Sequence, residues 1–204
     1  MCCDTPRTAK IPALRQFLHC DAEAIGDYDL MNVREATKND LPDILRLVHA
    51  LAVYEKEPDA VDATEDDFAA VMFPDDGRPN TYGLVAEVEG QIIGIAIWFH
   101  SFSTWTGKNG IWLEDLFVDP DHRGIGAGKA LLGHLAQICQ ERGLTRLEWC
   151  VLKWNEPSIG FYRSLGANAQ DEWETFRLDG QTLHAFADES AANTSGANAS
   201  SERA

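Results

Sequence analysis

Basic residues are scarce. Lys and Arg number 17 against 33 Asp and Glu, so the 204-residue chain carries a net charge of −16. A nucleic-acid partner needs a basic face to neutralise phosphates, so the deficit argues against that class. The deficit fits a cationic substrate, and it also fits an acidic surface that merely aids solubility. Cysteines are few and badly spaced for metal or disulfide chemistry. Cys2, Cys3, Cys20, Cys139 and Cys150 make an odd set with no CxxC pair, which argues against a disulfide framework and a zinc site. Reduced thiols suit a cytoplasmic location. Cys139 and Cys150 fall in apolar-rich segments and are expected in the core. No apolar run approaches the roughly 18 residues of a membrane span, and Met1-Cys2-Cys3-Asp4 does not open like a secretory leader. No membrane partner is expected.

What is present is enough apolar residue, 45%, to build one core. Residues 1–30 lack sustained periodicity and read as a dispensable extension or an artefact of start-site choice. Met31-Asn-Val-Arg-Glu-Ala-Thr37 reads as a first strand. Thr37-Lys-Asn-Asp40 has the form of a capping box, with Asp in place of Glu or Gln. Leu41, Ile44, Leu45, Val48 and Leu51 recur at helical spacing and predict a helix to about Tyr54. A short helix is expected over 65–72. Tyr82–Val88, a Glu89-Gly90 turn and Gln91–Phe99 read as a β-hairpin. Ile111–Val118 is a strand, Ala127–Arg142 a helix, Leu147–Leu152 a strand and Glu156–Ser164 a helix. Trp173–Leu178, Asp179-Gly180 and Gln181–Phe186 have the pattern of a closing hairpin. From 188 to 204 only small and polar residues remain, as in a disordered tail. The fold class is α/β with α+β mixing. A central mixed sheet is flanked by helices in the order β-α-α-β-β-β-α-β-α-β-β, within one domain over 31–187.

The most informative stretch runs from Leu113 to Lys129. A strand ends near Val118, Arg123-Gly-Ile-Gly-Ala-Gly128 follows, and an amphipathic helix begins with apolar residues at 127, 131, 135 and 138. The first turn of a helix offers free N–H groups and the positive end of its dipole. Glycines let that backbone approach an anion, and Arg123 adds positive charge. This is a pyrophosphate-binding arrangement. The spacing is GxGxG rather than GxGxxG, and no GK[ST] follows, so neither the dinucleotide fingerprint nor a P-loop applies.

These residues resemble the signature of the GNAT acetyltransferases, R/Q-x-x-G-x-G/A, matched by Arg123, Gly126 and Gly128. A second family element, N-x-x-S-x-x-F/Y-Y, is matched by Asn155, Ser158, Phe161 and Tyr162, with Gly166-Ala167 after it. The resemblance spans about Val33 to Ala187. Leu113-Glu-Asp-Leu-Phe-Val118, Trp154-Asn-Glu-Pro-Ser-Ile159 and Ala52-Val-Tyr-Glu-Lys56 are similar to the diamine (spermidine/spermine) and thialysine acetyltransferase branch. Members of that branch are commonly homodimers.

The resemblance implies transfer of an acetyl group from acetyl-CoA to a primary amine of a small cationic acceptor, without a metal. It implies a cofactor site of Leu116, Phe117 and Val118 on the strand, Arg123, Gly124, Ile125, Gly126, Ala127, Gly128 and Lys129 in the turn, and Asn155, Glu156, Pro157 and Ser158 on the later helix. It places Tyr54, Glu55, Glu114, Glu148, Trp149 and Cys150 on the acceptor side. Tyr162 would be the general acid and Glu114 the base, acting directly or through water. The spacing of Asn155, Ser158 and Tyr162 independently puts them on one helical stripe. Asn155 can equally serve as a helix cap, Tyr162 as a core tyrosine, and the three glutamates as ordinary surface acids. An amino acid or an aminoglycoside is an alternative acceptor, and a non-catalytic acyl-CoA sensor an alternative class.

Overall fold

The computed structural model describes residues 31–201, with side chains through Ala191. The extension over 1–30, with Cys2, Cys3 and Cys20, lies outside the described residues. The chain divides into two compact units that meet at Cys150 and Val151.

The first unit is a five-stranded sheet with helices on both faces. Its elements are β1 (Met31–Glu35), α1 (Leu41–Tyr54), α2 (Glu65–Met72), β2 (Tyr82–Val88), β3 (Gln91–Ser103), β4 (Lys108–Val118), α3 (Ala127–Arg142) and β5 (Leu147–Trp149). The strand order is β1-β2-β3-β4-β5, antiparallel through β4, and β5 joins β4 in parallel after the α3 crossover. The β3–β4 hairpin is longer than the sequence suggested, because pairing continues from His100↔Ile111 to Ser103↔Lys108.

The entrance to α1 is built as expected. Asp40 accepts from the Thr37 amide at 2.7 Å and the Thr37 hydroxyl at 2.9 Å. The same carboxylate takes a two-pronged grip from Arg34 at 2.7 and 2.9 Å, which holds its pKa down at about 2. Leu41, Ile44 and Leu47 of α1 and Met72 of α2 then bury against Val85, Ile95, Ile97 and Phe117 of the sheet. Each such side chain contributes roughly 1.5–3 kcal/mol relative to exposure. On the opposite face α3 buries Ala127, Leu131, Leu132, Leu135 and Ile138. It sits so close to β3 that a Cβ at Gly94 would meet Val118 Cγ2 at 3.2 Å and Leu131 Cδ1 at 3.4 Å.

The second unit contains α4 (Glu156–Ser164) and α5 (Gly180–Ser201). The expected closing hairpin is not formed. Residues 173–179 have no regular structure, and Gly180 opens a helix instead. An isolated hairpin is marginal in water, and among the described residues the second unit has no strand to pair with it. The Ala- and Glu-containing run from Ala185 favours helix. The element order therefore ends β-α-α rather than β-α-β-β, and α5 continues into the segment read as a tail. The strand expected over Leu147–Leu152 stops at Trp149, which leaves Cys150 exposed rather than in the core, while Cys139 is half-buried. Among the described residues no helix is long and apolar enough to cross a membrane.

Candidate active site

Two interruptions of the sheet shape the site. The first is the end of β5. Its pairing with β4 runs Ile111↔Leu147, Trp112↔Glu148 and Leu113↔Trp149 and then stops. From Asp115 to Val118, β4 is paired in the sheet on its β3 side only, so Leu116 and Val118 lie on an open strand edge. Such an edge can add an extended ligand as though it were another strand. The Phe117 side chain turns inward and is buried in the core, so only its backbone is at the edge.

The second interruption is a β-bulge. Ile97 opposes Asp115 while the next residue, Trp98, opposes Leu113, so Glu114 is the extra residue. On a regular strand Glu114 and Asp115 would face opposite sides. The bulge places them on one. Asp115 shares the face of its partner Ile97, which packs with α1. Trp112 shares that face through Phe99, and its indole Nε1 donates to Glu114 Oε2 at 2.9 Å. The end of α1 brings a third acid, Glu55, close enough to repel Asp115. Burial raises the Glu55 pKa. Burial, then the charges of Glu114 and Glu55, push Asp115 from its ordinary 3.8 up to about 6. Asp115 was not nominated from the sequence. The adjacent acids were the only signal available, and a bulge cannot be read from them.

Beyond β4 the chain turns through Pro120–His122 and reaches α3. Gly126 is the N-cap of α3, with φ of 88° and no side chain bonded to the first-turn amides. Gly124 also has φ of 88°, and a Cβ there would meet nothing within 4 Å. Ile125 through Lys129 thus present the start of a 16-residue helix that no side chain caps among the described residues. An anion can be received there. Arg123 does not simply project from this turn. Its guanidinium lies over the Tyr54 ring at 4.8 Å and the Phe117 ring at 5.6 Å, and Nε donates to the Val118 carbonyl at 3.1 Å. The turn and the end of α1 are thereby tied together.

Of the β5 residues, Glu148 pairs with Arg146 at 2.7 Å, so its charge is partly neutralised. Trp149 ends the strand, and exposed Cys150 follows it. In the second unit Asn155 is buried and accepts from the Ser158 amide at 3.3 Å, so it does cap α4. Glu156 and Pro157 form the first turn of α4, and Tyr162 is half-buried on its last turn beside Phe161. Among the described residues no group of three or more His, Cys, Asp and Glu could hold a metal ion.

These features have known counterparts. The family model described as Acetyltransferase (GNAT) family matches residues 44–167. The thialysine N-epsilon-acetyltransferase of Bos taurus is 36% identical over 166 residues, covering 76% of this chain and 96% of that protein. The spermidine/spermine N(1)-acetyltransferase-like protein 1 of Homo sapiens is 33% identical across 76% of this chain, though that region is 23% of the human protein. An integron cassette protein from V. cholerae superposes with a TM-score of 0.65 at 26% identity, covering 77% of this chain and 97% of that one. The protein is an acetyltransferase and belongs to the GNAT family.

Proposed function

We propose that this enzyme transfers an acetyl group from acetyl-CoA to a primary amine of a small cationic acceptor, a diamine, polyamine or lysine-like amine. The observation that carries this reading is one stretch of chain. The open edge of β4 runs directly into a glycine turn with no capping side chain among the described residues, and three carboxylates gather beside that edge.

The residues present fit the donor. The amides from Gly124 to Lys129 would hold its pyrophosphate, and Leu116 and Val118 would bond its pantetheine arm strand-fashion. Asn155 through Ser158 would line the same ligand. Acetyl-CoA supplies the acyl group as an activated thioester. The chain's task is then to bind the ammonium and take one proton from it, so that the neutral nitrogen can bond to the acetyl carbon as the C–S bond breaks; the second proton that the nitrogen sheds replaces the one the acid gives to the departing sulfur. A primary ammonium with a pKa near 10 is attracted to the face carrying Glu55 and Glu114, where carboxylates concentrate cations. Glu114 takes the proton, directly or through water. Its exposed carboxylate, held by the Trp112 indole, is open to a solvent path. The Leu116 amide would face the charge developing on the thioester oxygen. Tyr162 donates to the sulfur, since a phenol with a pKa near 10 still carries its proton at neutral pH.

The kind of relatives this chain has, proteins named for thialysine and for spermidine and spermine, supports cationic acceptors. A second copy of the chain as partner, in a homodimer, is part of the same proposal. The test is turnover of acetyl-CoA with a panel of amines, including an amino acid, an aminoglycoside, and a diamine paired with a monoamine of equal length. A diamine preference is expected. Equal kcat/KM for the diamine and the monoamine would remove the cationic-acceptor reading, and no turnover with any amine would remove the acetyl-CoA reading.

A further inference from the structure

We propose that Arg123 is a positioning residue for the acceptor side: its guanidinium, laid over the Tyr54 ring, holds the end of α1 in place and leaves the pyrophosphate to the amides of the turn. The proposal rests on the preceding reading, which puts the end of α1 beside the acceptor. That end needs a hold. Tyr54 is the last residue of the helix, and from Glu55 to Thr64 the chain forms neither helix nor strand. The Glu55 and Glu57 amides still donate back to the Leu51 and Ala52 carbonyls at 2.8 and 2.9 Å, but between them Lys56 has φ of 70°. A residue with a Cβ enters that left-handed region at a cost, and it stays there only where its neighbours are fixed. Tyr54 is placed to fix them, since it is half-buried and packs against the core.

Arg123 supplies the other half of that hold. Phe117 is buried in the core and Val118 closes β4, so both are firm supports. The guanidinium lies over the Phe117 ring at 5.6 Å, its Nε donates to the Val118 carbonyl at 3.1 Å, and the Tyr54 ring sits 4.8 Å away. A planar, delocalised cation can meet two rings and a carbonyl at once, and the compact ammonium of a lysine cannot reproduce that set. The direction of the side chain matters as much as its contacts. An arginine serving the pyrophosphate would lean forward over the amides from Gly124 to Lys129. This one turns back along the chain to Val118 and across to α1. Removing the guanidinium would therefore loosen Tyr54 and the Glu55–Lys56 turn. The amine would lose a pre-formed site while every group on the acceptor side remained present.

The experiment compares wild type with Arg123→Lys, Tyr54→Leu and the double variant by three measurements: amide hydrogen exchange at Glu55 and Glu57, calorimetric titration of acetyl-CoA, and steady-state acetylation of putrescine at saturating acetyl-CoA. Arg123→Lys keeps the charge beside the turn and removes the stacking plane, so it separates the two roles. Exchange at Glu55 and Glu57 should rise about three- to fivefold in Arg123→Lys, the size of an exposed cation–π contact. Acetyl-CoA affinity should stay within about twofold of wild type. KM for putrescine should rise about three- to fivefold with kcat within about twofold. Tyr54→Leu should raise exchange to a similar degree, and the double variant should exchange no faster than the single ones, because each removes the same contact. Unchanged exchange in Arg123→Lys would overturn the proposal, as would effects on exchange that multiply in the double variant. A tenfold loss of acetyl-CoA affinity in Arg123→Lys would also overturn it and return the guanidinium to the pyrophosphate. Absence of putrescine turnover by wild type would instead count against the preceding acceptor reading, with exchange and the acetyl-CoA titration still deciding the role of Arg123.

Discussion

The acid at Asp115 should cost stability, and the cost can be measured apart from any ligand. Asp115 rises from its ordinary 3.8 to about 6 in the folded protein, a gap of about two pH units. The folded state therefore holds this proton more tightly than the unfolded chain does. The stability contributed by the group is fully present below about pH 4 and is lost as pH rises through about 6. At 1.36 kcal/mol per unit, the loss approaches about 3 kcal/mol at neutral pH and fades as pH falls toward about 4. Asp115→Asn removes the titration while keeping the shape. Urea denaturation of wild type and variant across this range should show the variant gaining on wild type as pH rises, with a plateau above about pH 7. A stability difference that stays flat from pH 4 to pH 8 would refute the reasoning. It would mean that Asp115 reaches solvent or finds a donor in solution.

Three further outcomes follow from other parts of the site. Gly126→Asp places a carboxylate at the N-cap of α3, in a conformation with φ of 88° that Asp tolerates better than most residues. Acetyl-CoA affinity by calorimetry should fall at least about tenfold while the circular dichroism spectrum is kept, and unaltered affinity would dismiss the turn as the pyrophosphate site. Tyr162→Phe should lower kcat by about a hundredfold and leave the affinity for acetyl-CoA unchanged, because only a donated proton is lost; a wild-type rate would reassign the acid. Asp40→Asn breaks a buried pair with Arg34 and one arm of the α1 entrance, so chemical denaturation should show a loss of about 2–4 kcal/mol near neutral pH. A loss below about 0.5 kcal/mol would show that this network is not what fixes the start of α1.

Much of the first unit was legible because its signals were local. The stripe over 41–51 and the Thr37–Asp40 box mark α1, and the apolar period from Ala127 to Ile138 marks α3 with its buried face. Asn155 and Pro157 announce the start of α4. The closing hairpin failed for the complementary reason. Alternation from Trp173 to Phe186 and an Asp-Gly turn are necessary for a hairpin, but strands need partners, and a periodic pattern does not supply them. Trp173 and Phe176 are accordingly 73% and 89% exposed, which is the cost of a strand pattern left without a sheet. Cys150 was misplaced by the same logic. Its segment is apolar, but β5 ends one residue earlier.

The acid cluster shows where local reading stops most sharply. Glu114 and Asp115 stand side by side in the chain, and the period-two rule of a strand assigns them to opposite faces. That rule holds only while the register holds. One extra residue opposite the Ile97–Trp98 step reverses the answer for every residue after it in β4. The same shift puts Phe117 into the core and turns Leu116 and Val118 to the side that α3 covers. The bulge thus acts on both halves of the proposed reaction. It draws the second acid of the doublet toward the acceptor, and it fixes which residues occupy the open edge that runs into the glycine turn. Glu148 shows the converse, since its charge is visible in the sequence but its Arg146 partner appears only when the two side chains meet on one face. Electrostatics at this site is therefore set by register rather than by composition. A net charge of −16 states that acids are plentiful; which three converge is decided by a single unpaired residue in β4.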